Sequence, residues 1–155
     1  MLTIALNYKF RIAWREFAME KKLKITFERG GIFYARFLSK EAPKTVNLID
    51  STLPFQAKIL HGRYAGPAIF YDTGFGTVEK ENSLVDKSIG ALTLTMGTSR
   101  YSGKAVHIFY DKDVASSKEE NWFANIDENL AELKIVGERI WKEGPEKATF
   151  ESWEG

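Results

Sequence analysis

The sequence predicts a mainly β protein, a closed barrel of about eight strands with two helices that cap its open ends. Short apolar or alternating segments recur along the chain, and turn residues separate them at close intervals. Only two segments have the spacing of a helix, one early and one late. Strands that are mostly adjacent in sequence do not form a βαβ series. They favour a closed or nearly closed barrel.

Length and composition exclude several classes of protein. A chain of 155 residues is the usual size of one domain, which buries roughly 70% of its unfolded surface. The chain has no cysteine, so it has no disulfide, Cys-zinc site or thiol nucleophile. With 22 basic and 21 acidic residues it carries a net charge of +1, which gives no strong attraction for nucleic acid or an anionic membrane. No apolar run reaches the length of a membrane span, so a cytoplasmic location is expected.

The first 18 residues mix apolar and basic side chains without a regular period. One explanation is an extra arm that packs its apolar residues on the domain. The other is that Met19 is the true start of the protein. We therefore divide the chain into an extension over residues 1–18 and a barrel domain over residues 19–155. Loss of the extension is expected to leave the fold nearly unchanged if Met19 is the start.

The barrel domain opens with a predicted hairpin. Leu23, Ile25 and Phe27 alternate with polar residues, as in a half-buried strand. Arg29–Gly31 offers a turn with positive φ, because glycine adopts that conformation without strain. The second strand of the hairpin is expected over residues 32–38.

A helix is predicted after this hairpin. Pro43 fits the first helical position, where the missing N–H would have no intrahelical partner. Val46, Ile49 and Leu53 follow at intervals of three and four residues and therefore share one side of the helix. Pro54 is expected to end it.

The middle of the chain alternates between strands and turns. Residues 56–61 and 68–71 are expected to be strands, separated by a bend over residues 62–67. Residues 72–76 read as a turn. The polar segment from Val78 to Ser88 is predicted to be a surface loop long enough to carry function.

Two further half-buried strands are predicted at residues 92–96 and 105–110. Gly97-Thr98-Ser99 and Gly103 supply the turns between them. One face of the second strand must point to the core, so His107 or its neighbours are expected to point the other way. A polar loop is predicted from Asp111 to Asn121.

The last part of the chain predicts a helix and a closing strand. Asn125 and Glu128 have the spacing of a capping box. Apolar residues follow at helical spacing, and Gly144-Pro145 is expected to end the helix. Ala148 and Phe150 fit a closing strand. The apolar residues of the helix are Leu130, Leu133, Val136 and Ile140.

Three segments resemble cyclophilins. Ala42–Asn47 reads Ala-Pro-Lys-Thr-Val-Asn after a strand that ends in Phe37-Leu38, and is similar to the first passage from strand to helix in that family. Gly90–Met96 resembles the family's Gly-Ile-Leu-Ser-Met strand. Asn121–Ile126 resembles its Val-Val-Phe-Gly-Lys-Val segment. The resemblance runs from about residue 22 to 151 and implies a small cyclophilin-type barrel.

The residues that carry the family's isomerase activity are altered. In cyclophilins an arginine in a Phe-His-Arg strand stabilises the twisted amide, and a Phe-Met-x-Gln-Gly-Gly segment follows. Here the region reads Leu60-His61-Gly62-Arg63-Tyr64-Ala65-Gly66, which shifts Arg63 by one residue and lacks Gln-Gly-Gly. A shift of one residue in a strand reverses the face. His107 falls near the family's pocket phenylalanine, so the proline pocket loses an apolar wall.

These departures resemble an uncharacterised prokaryotic family of cyclophilin-like proteins. Its features include a His-x-Arg-aromatic-x-Gly run, here His61–Gly66, and a Glu-Asn pair, here Glu81-Asn82. That resemblance implies the fold and leaves the function open.

Eight residues are candidates for one ligand site on a face of the barrel. Arg63 would donate to an anionic or amide-bearing ligand, and a histidine would change charge near neutral pH. The expected partner is a small polar ligand or a proline-containing peptide. A structural role for the histidines and a solvated or ion-paired Arg63 remain alternatives. The candidates are His61, Arg63, Tyr64, Tyr71, Glu81, Asn82, His107 and Tyr110.

Two functions follow from this set of residues. The first is a non-enzymatic or unassigned binding module. The second is a weak peptidyl-prolyl isomerase, with Arg63 as its catalytic residue. No cofactor is expected. No metal is expected either, because no His-x-x-x-His or cysteine pattern brings ligands together.

Overall fold

Eight antiparallel strands form a closed barrel in the computed structural model, which describes residues 20–77, 79–97 and 104–155. Their order around the barrel is β1-β2-β7-β5-β6-β4-β3-β8. Two helices pack against the strands, and a short 3₁₀ turn covers Arg63–Ala65. The predicted mainly β barrel is confirmed. The strands are β1 (Lys21–Phe27), β2 (Ile32–Phe37), β3 (Phe55–His61), β4 (Ala68–Asp72), β5 (Ala91–Thr95), β6 (Ala105–Phe109), β7 (Glu120–Ile126) and β8 (Glu146–Glu154), and the helices are α1 (Pro43–Asp50) and α2 (Leu130–Glu143).

Side chains fill the barrel interior. Alternate residues of each strand point inward, so the period-two pattern of β1 buries Leu23, Ile25 and Phe27 together. Phe123 and Phe150 are fully buried among them. An eight-stranded barrel has an interior just wide enough for side chains to fill. Any ligand site is therefore expected at the ends or on the outer face.

The two helices cover opposite ends of the barrel. Helix α1 lies beside the start of β7, where the Asn121 amide donates to the Thr45 hydroxyl at 3.2 Å. Helix α2 lies beside the β1–β2 turn, where Arg139 donates to the Gly30 carbonyl at 2.9 Å. Gly30 and Gly31 have φ values of 110°, which confirms the predicted positive-φ turn. Among the described residues, no helix is both long and apolar enough to cross a membrane.

The predicted helix boundaries need two corrections. Helix α1 ends at Asp50, so Pro54 lies beyond its end. Asn125 does not cap α2, because it belongs to β7, a strand that the sequence had not revealed as one. The ladders with β2 and β5 hold this segment extended as far as Ile126. The residue before α2 is Asn129, with a left-handed φ of 58°.

The prediction that β5 and β6 are half-buried is wrong. Every residue of both strands is buried. Residues outside the two strands help to cover their outer faces, since Ala65 of the 3₁₀ turn, Val114 and Trp122 pack with Phe109. The amide of Ala115 donates to the Ala65 carbonyl at 2.8 Å and holds this cover in place.

Some predictions concern residues outside the described part of the chain. These are the arm over residues 1–18, Val78, and the turn residues Thr98, Ser99 and Gly103. The division of the chain at residue 19 stays a prediction.

A buried carboxylate joins α2, the β1–β2 turn and β8. Glu146, the first residue of β8, accepts from Arg139 Nε at 2.8 Å and from the backbone amide of Arg29 at 2.8 Å. The guanidinium of Arg29 lies 3.3 Å away. The Glu146 side chain is 1% exposed, so these contacts replace nearly all of its hydration.

We expect Glu146→Ala to destabilise the protein by about 3 kcal/mol, because it removes the partner of two guanidinium groups. Glu151→Ala is the matched control on the same strand. Its carboxylate is 46% exposed and lies 4.0 Å from Lys24, so its loss is expected to cost less than about 1 kcal/mol. Urea unfolding measures both. Equal losses for the two variants would contradict the role of Glu146.

Candidate functional site

The eight predicted site residues occupy four separate places. His61, Arg63 and Tyr110 line a cleft at the α2 end of the barrel, which we call the rim cleft. Tyr64 and His107 meet on the outer face. The other three residues lie elsewhere: Tyr71 is inside the barrel, and Glu81 and Asn82 lie beside α1 and β7.

The rim cleft has a volume of about 420 Å³, within the range of small-molecule sites. The end of β3, the 3₁₀ turn and the last turns of α2 form its walls. Trp141 of α2 contacts two of the candidates: its ring lies 4.4 Å from the Arg63 guanidinium and 4.7 Å from the His61 ring. Glu138 and Lys142 supply charges of opposite sign at its edge.

Arg63 is available to a ligand. Within the described part of the chain, no carboxylate forms an ion pair with it. Its guanidinium instead lies over the Trp141 ring, a cation–π contact that restricts the side chain and leaves its N–H groups open. A planar fork of this kind matches a carboxylate or an amide oxygen.

His61 is neutral at neutral pH. Burial lowers the pKa of its imidazole, and the nearby charge of Arg63 lowers it further. Its Nε2 lies 2.7 Å from the Tyr110 hydroxyl, while Nδ1 has no partner among the described residues. Burial likewise raises the pKa of Tyr110, so this phenol is also neutral. The rim cleft therefore combines one guanidinium with two neutral polar groups.

In the outer-face pair, His107 is buried whereas Tyr64 is exposed. His107 is 1% exposed and stacks on Phe70 at 5.4 Å, and burial lowers its pKa to about 4. Its Nε2 lies 3.3 Å from the hydroxyl of Tyr64. Thr93 faces His107 across the β5–β6 ladder. Neither His107 Nδ1 nor Thr93 Oγ1 has a partner among the described residues.

Glu81 caps helix α1. The residue before the helix is Ala42, which has no side chain able to cap it. The Glu81 carboxylate accepts from the amides of Lys44 and Thr45 at 3.0 and 2.8 Å and from the Thr45 hydroxyl at 2.7 Å. Asn82 donates to the Trp122 carbonyl at 3.0 Å, which attaches the same loop to β7. The Glu-Asn pair thus holds the loop and the helix together.

Tyr71 lies in the core at the α1 end. Its ring packs 4.8 Å from Phe150 and 5.5 Å from Phe55, and burial raises the pKa of its phenol strongly. The side chain points inward because it alternates with Phe70 on β4.

Sequence reasoning missed Trp141 as a site residue and assigned it to packing. Helical spacing places Trp141 on α2 but does not show which strand end the helix meets. Across the residues that the structure describes, no three His, Asp or Glu side chains are arranged to hold a metal ion.

Residues 25–152 match the model of a family described as "Protein of unknown function (DUF3830)". No curated protein matches the chain. Similar solved structures include McbB in complex with tryptophan, with a TM-score of 0.62 and 13% identity over 83% of this chain. The match covers 44% of the McbB chain, so our chain spans less than half of that protein.

A second similar structure is the solution structure of the hypothetical protein AF2241 from Archaeoglobus fulgidus. It has a TM-score of 0.60 and 22% identity, and the match covers 86% of our chain and 95% of AF2241. At these identities the likeness shows the fold alone.

We expect Glu81→Ala to cost about 0.5–2 kcal/mol, the usual effect of losing a helix cap. Burial acts to raise the pKa of Glu81, but the hydrogen bonds from Thr45 and Lys44 outweigh it and hold the pKa below its ordinary value of 4.5. The stabilisation is therefore present above about pH 4.5 and lost as pH falls through the folded-state pKa. Urea unfolding between pH 3 and 7 measures it.

Glu79→Ala is the control for Glu81. Glu79 pairs with the same helix through the exposed side chain of Lys44, without contacting the backbone amides. Its loss is expected to cost less than about 0.5 kcal/mol. A Glu81 variant no less stable than this control would contradict the cap.

We expect His107→Phe to flatten the pH dependence of stability. The unfolded histidine takes up a proton near pH 6.5, whereas the folded one does so near pH 4. Stability is thus complete above pH 6.5 and falls by up to about 3 kcal/mol as pH drops to 4. The variant has no ionisable side chain at position 107, so its unfolding free energy lacks this dependence on pH. Unfolding free energies at pH 4, 5, 6 and 7 test it, and parallel slopes for the two proteins would refute it.

Proposed function

The chain belongs to the DUF3830 family of proteins of unknown function, and from this premise we propose that it is a non-enzymatic binding module for a small ligand bearing a carboxylate or amide group. The rim cleft is the proposed site. The observation that carries the proposal is the Arg63 guanidinium, which lies over Trp141 without an ion pair to any described residue.

The groups around Arg63 suit such a ligand. A carboxylate would pair with the guanidinium through two parallel hydrogen bonds, and the neutral His61–Tyr110 pair would donate or accept without adding charge. The exposed face of Trp141 offers contact area for a flat or apolar part of the same ligand. Lys142 adds positive charge at the edge of the cleft, and Glu138, one turn earlier on α2, is the one carboxylate among its described lining residues.

We also infer that the barrel is cyclophilin-like. Three segments support this: Ala42–Asn47 leads into α1, while Gly90–Met96 and Asn121–Ile126 contain β5 and β7. The inference keeps weak prolyl isomerisation as the alternative function, with Arg63 as the catalytic residue and a proline-containing peptide as substrate.

The position of Arg63 favours binding over isomerisation. Arg63 faces the rim cleft, whereas the next residue, Tyr64, reaches His107 on the outer face. An isomerase needs its arginine beside an apolar pocket for the proline ring. The ring of Phe70 stacks on His107 on the outer face, whereas the Arg63 guanidinium lies over Trp141 in the rim cleft.

We expect a screen of small carboxylates and amides to raise the melting temperature of the protein, following RT ln(1 + [L]/Kd). Arg63→Ala should weaken a carboxylate ligand about tenfold or more, since it removes a charge-assisted pair worth about 1.5–3 kcal/mol. Isothermal titration measures the affinities. Lys58→Ala is the control, because it removes an exposed positive charge on β3 away from the cleft.

An isomerase assay on proline peptides separates the two functions. Activity at background, together with Arg63-dependent ligand binding, supports the binding module. Acceleration that Arg63→Ala abolishes would make the protein an enzyme. Equal ligand affinities for the Arg63 and Lys58 variants would show that the rim cleft is not the binding site.

A further inference from the structure

A second cleft lies at the opposite end of the barrel, beside α1. It has a volume of about 270 Å³, and we call it the α1-end cleft. Phe55, Tyr71 and Phe75 supply its aromatic wall, and Asp72 lies at its edge. None of the described residues that line it is lysine or arginine. It shares no residue with the rim cleft.

Two hydroxyl groups of this cleft already donate to main-chain carbonyls, while the buried Tyr71 hydroxyl has no partner among the described residues. The Thr52 hydroxyl donates to the Ile49 carbonyl at 2.6 Å, and the Thr73 hydroxyl donates to the Lys104 carbonyl at 2.9 Å. Each hydroxyl has one proton and two lone pairs, so acceptor positions remain. The Gln56 amide nitrogen donates to Thr149 at 3.3 Å, which leaves its oxygen as an acceptor.

The charges of the cleft also favour a positively charged ligand. Asp72 forms no ion pair with any described residue, and its carboxylate only accepts hydrogen bonds. The faces of aromatic rings carry partial negative charge and attract cations. Phe55 and Tyr71 lie 5.5 Å apart at an interplanar angle of 50°, so their rings form an angled wall.

From these features we propose that the α1-end cleft binds a small primary ammonium ion with an apolar or aromatic body. The ammonium group supplies the positive charge that the described lining lacks, and its N–H groups donate to the Asp72 carboxylate and the free lone pairs of the neighbouring oxygens. The apolar body packs on the rings of Phe55 and Phe75. An anion would meet no positive group in the described lining, and a neutral apolar molecule would leave the acceptors unused.

Three probes of similar shape test the proposal at pH 7: benzylamine, which is a cation, benzyl alcohol, which is neutral, and benzoate. Titrations followed by ¹H–¹⁵N NMR give both affinity and location. We expect benzylamine to bind at least about tenfold more tightly than benzyl alcohol, from one carboxylate and the ring faces together. Benzoate should bind most weakly. Shifts are expected at Thr73 and Phe75 and not at Trp141.

Four variants test which side chains cause the expected preference for benzylamine over benzyl alcohol. Asp72→Asn should reduce benzylamine affinity toward that of benzyl alcohol and leave the alcohol unchanged. Phe75→Leu should weaken both probes. Asp86→Asn removes an exposed carboxylate that does not line the cleft, and should change the affinity of neither probe. Arg63→Ala should also have no effect, which keeps this site separate from the rim cleft.

Three results with the unmodified protein would overturn the proposal. They are equal affinity for benzylamine and benzyl alcohol, tighter binding of benzoate, and no saturation by any of the three probes. Loss of benzylamine binding in the Asp86 control would also overturn it, since the preference would then reflect overall charge.

Discussion

Strand β8 closes the barrel by pairing along its length with β1 on one side and with β3 on the other. Its first residue, Glu146, ties this closure to α2 and to the β1–β2 turn through two arginines. The ends of the barrel are thereby held in place while its interior stays filled. Both clefts depend on this arrangement, because each is built from strand ends and the segments that cross them.

The two clefts have opposite chemistry because different elements cross the two ends. At the α2 end, the 3₁₀ turn brings Arg63 over Trp141. At the α1 end, the segment after β4 brings Phe75 into the same cleft as Asp72, and the Thr73 hydroxyl donates to a main-chain carbonyl. The Arg63 guanidinium of the rim cleft and the Asp72 carboxylate of the α1-end cleft are therefore charges of opposite sign, each without an ion pair to a described residue. The filled barrel thus carries two clefts that share no lining residue.

Local periodicity predicted the elements whose environment is local. The alternation in β1 and the glycines at 30 and 31 are examples. Prediction failed where residues outside an element determine its burial or its conformation. The outer faces of β5 and β6 are buried by Ala65 and Val114, which no pattern within those strands reveals. Asn125 has the spacing of a helix cap, but pairing with two neighbouring strands keeps it extended.

The sequence likewise predicted only part of the candidate site. Of the eight residues, His61, Arg63 and Tyr110 line one cleft, since the ends of β3 and β6 lie at one end of the barrel. Tyr71 does not join them, because it points inward near the other end of β4. Trp141 could not be placed from sequence, because its contacts depend on how α2 lies across the barrel.

The cap on helix α1 makes two distant segments interdependent. The helix has no capping side chain of its own at Ala42, and the carboxylate that replaces one comes from Glu81, in a loop reached only after two further strands. The stability of α1 therefore depends on the loop that carries Glu81, and a change in that loop affects the helix. A chimera that exchanged this loop between related barrels would leave the first turn of α1 without acceptors, unless Glu81 were transferred with Thr45, its partner on the helix.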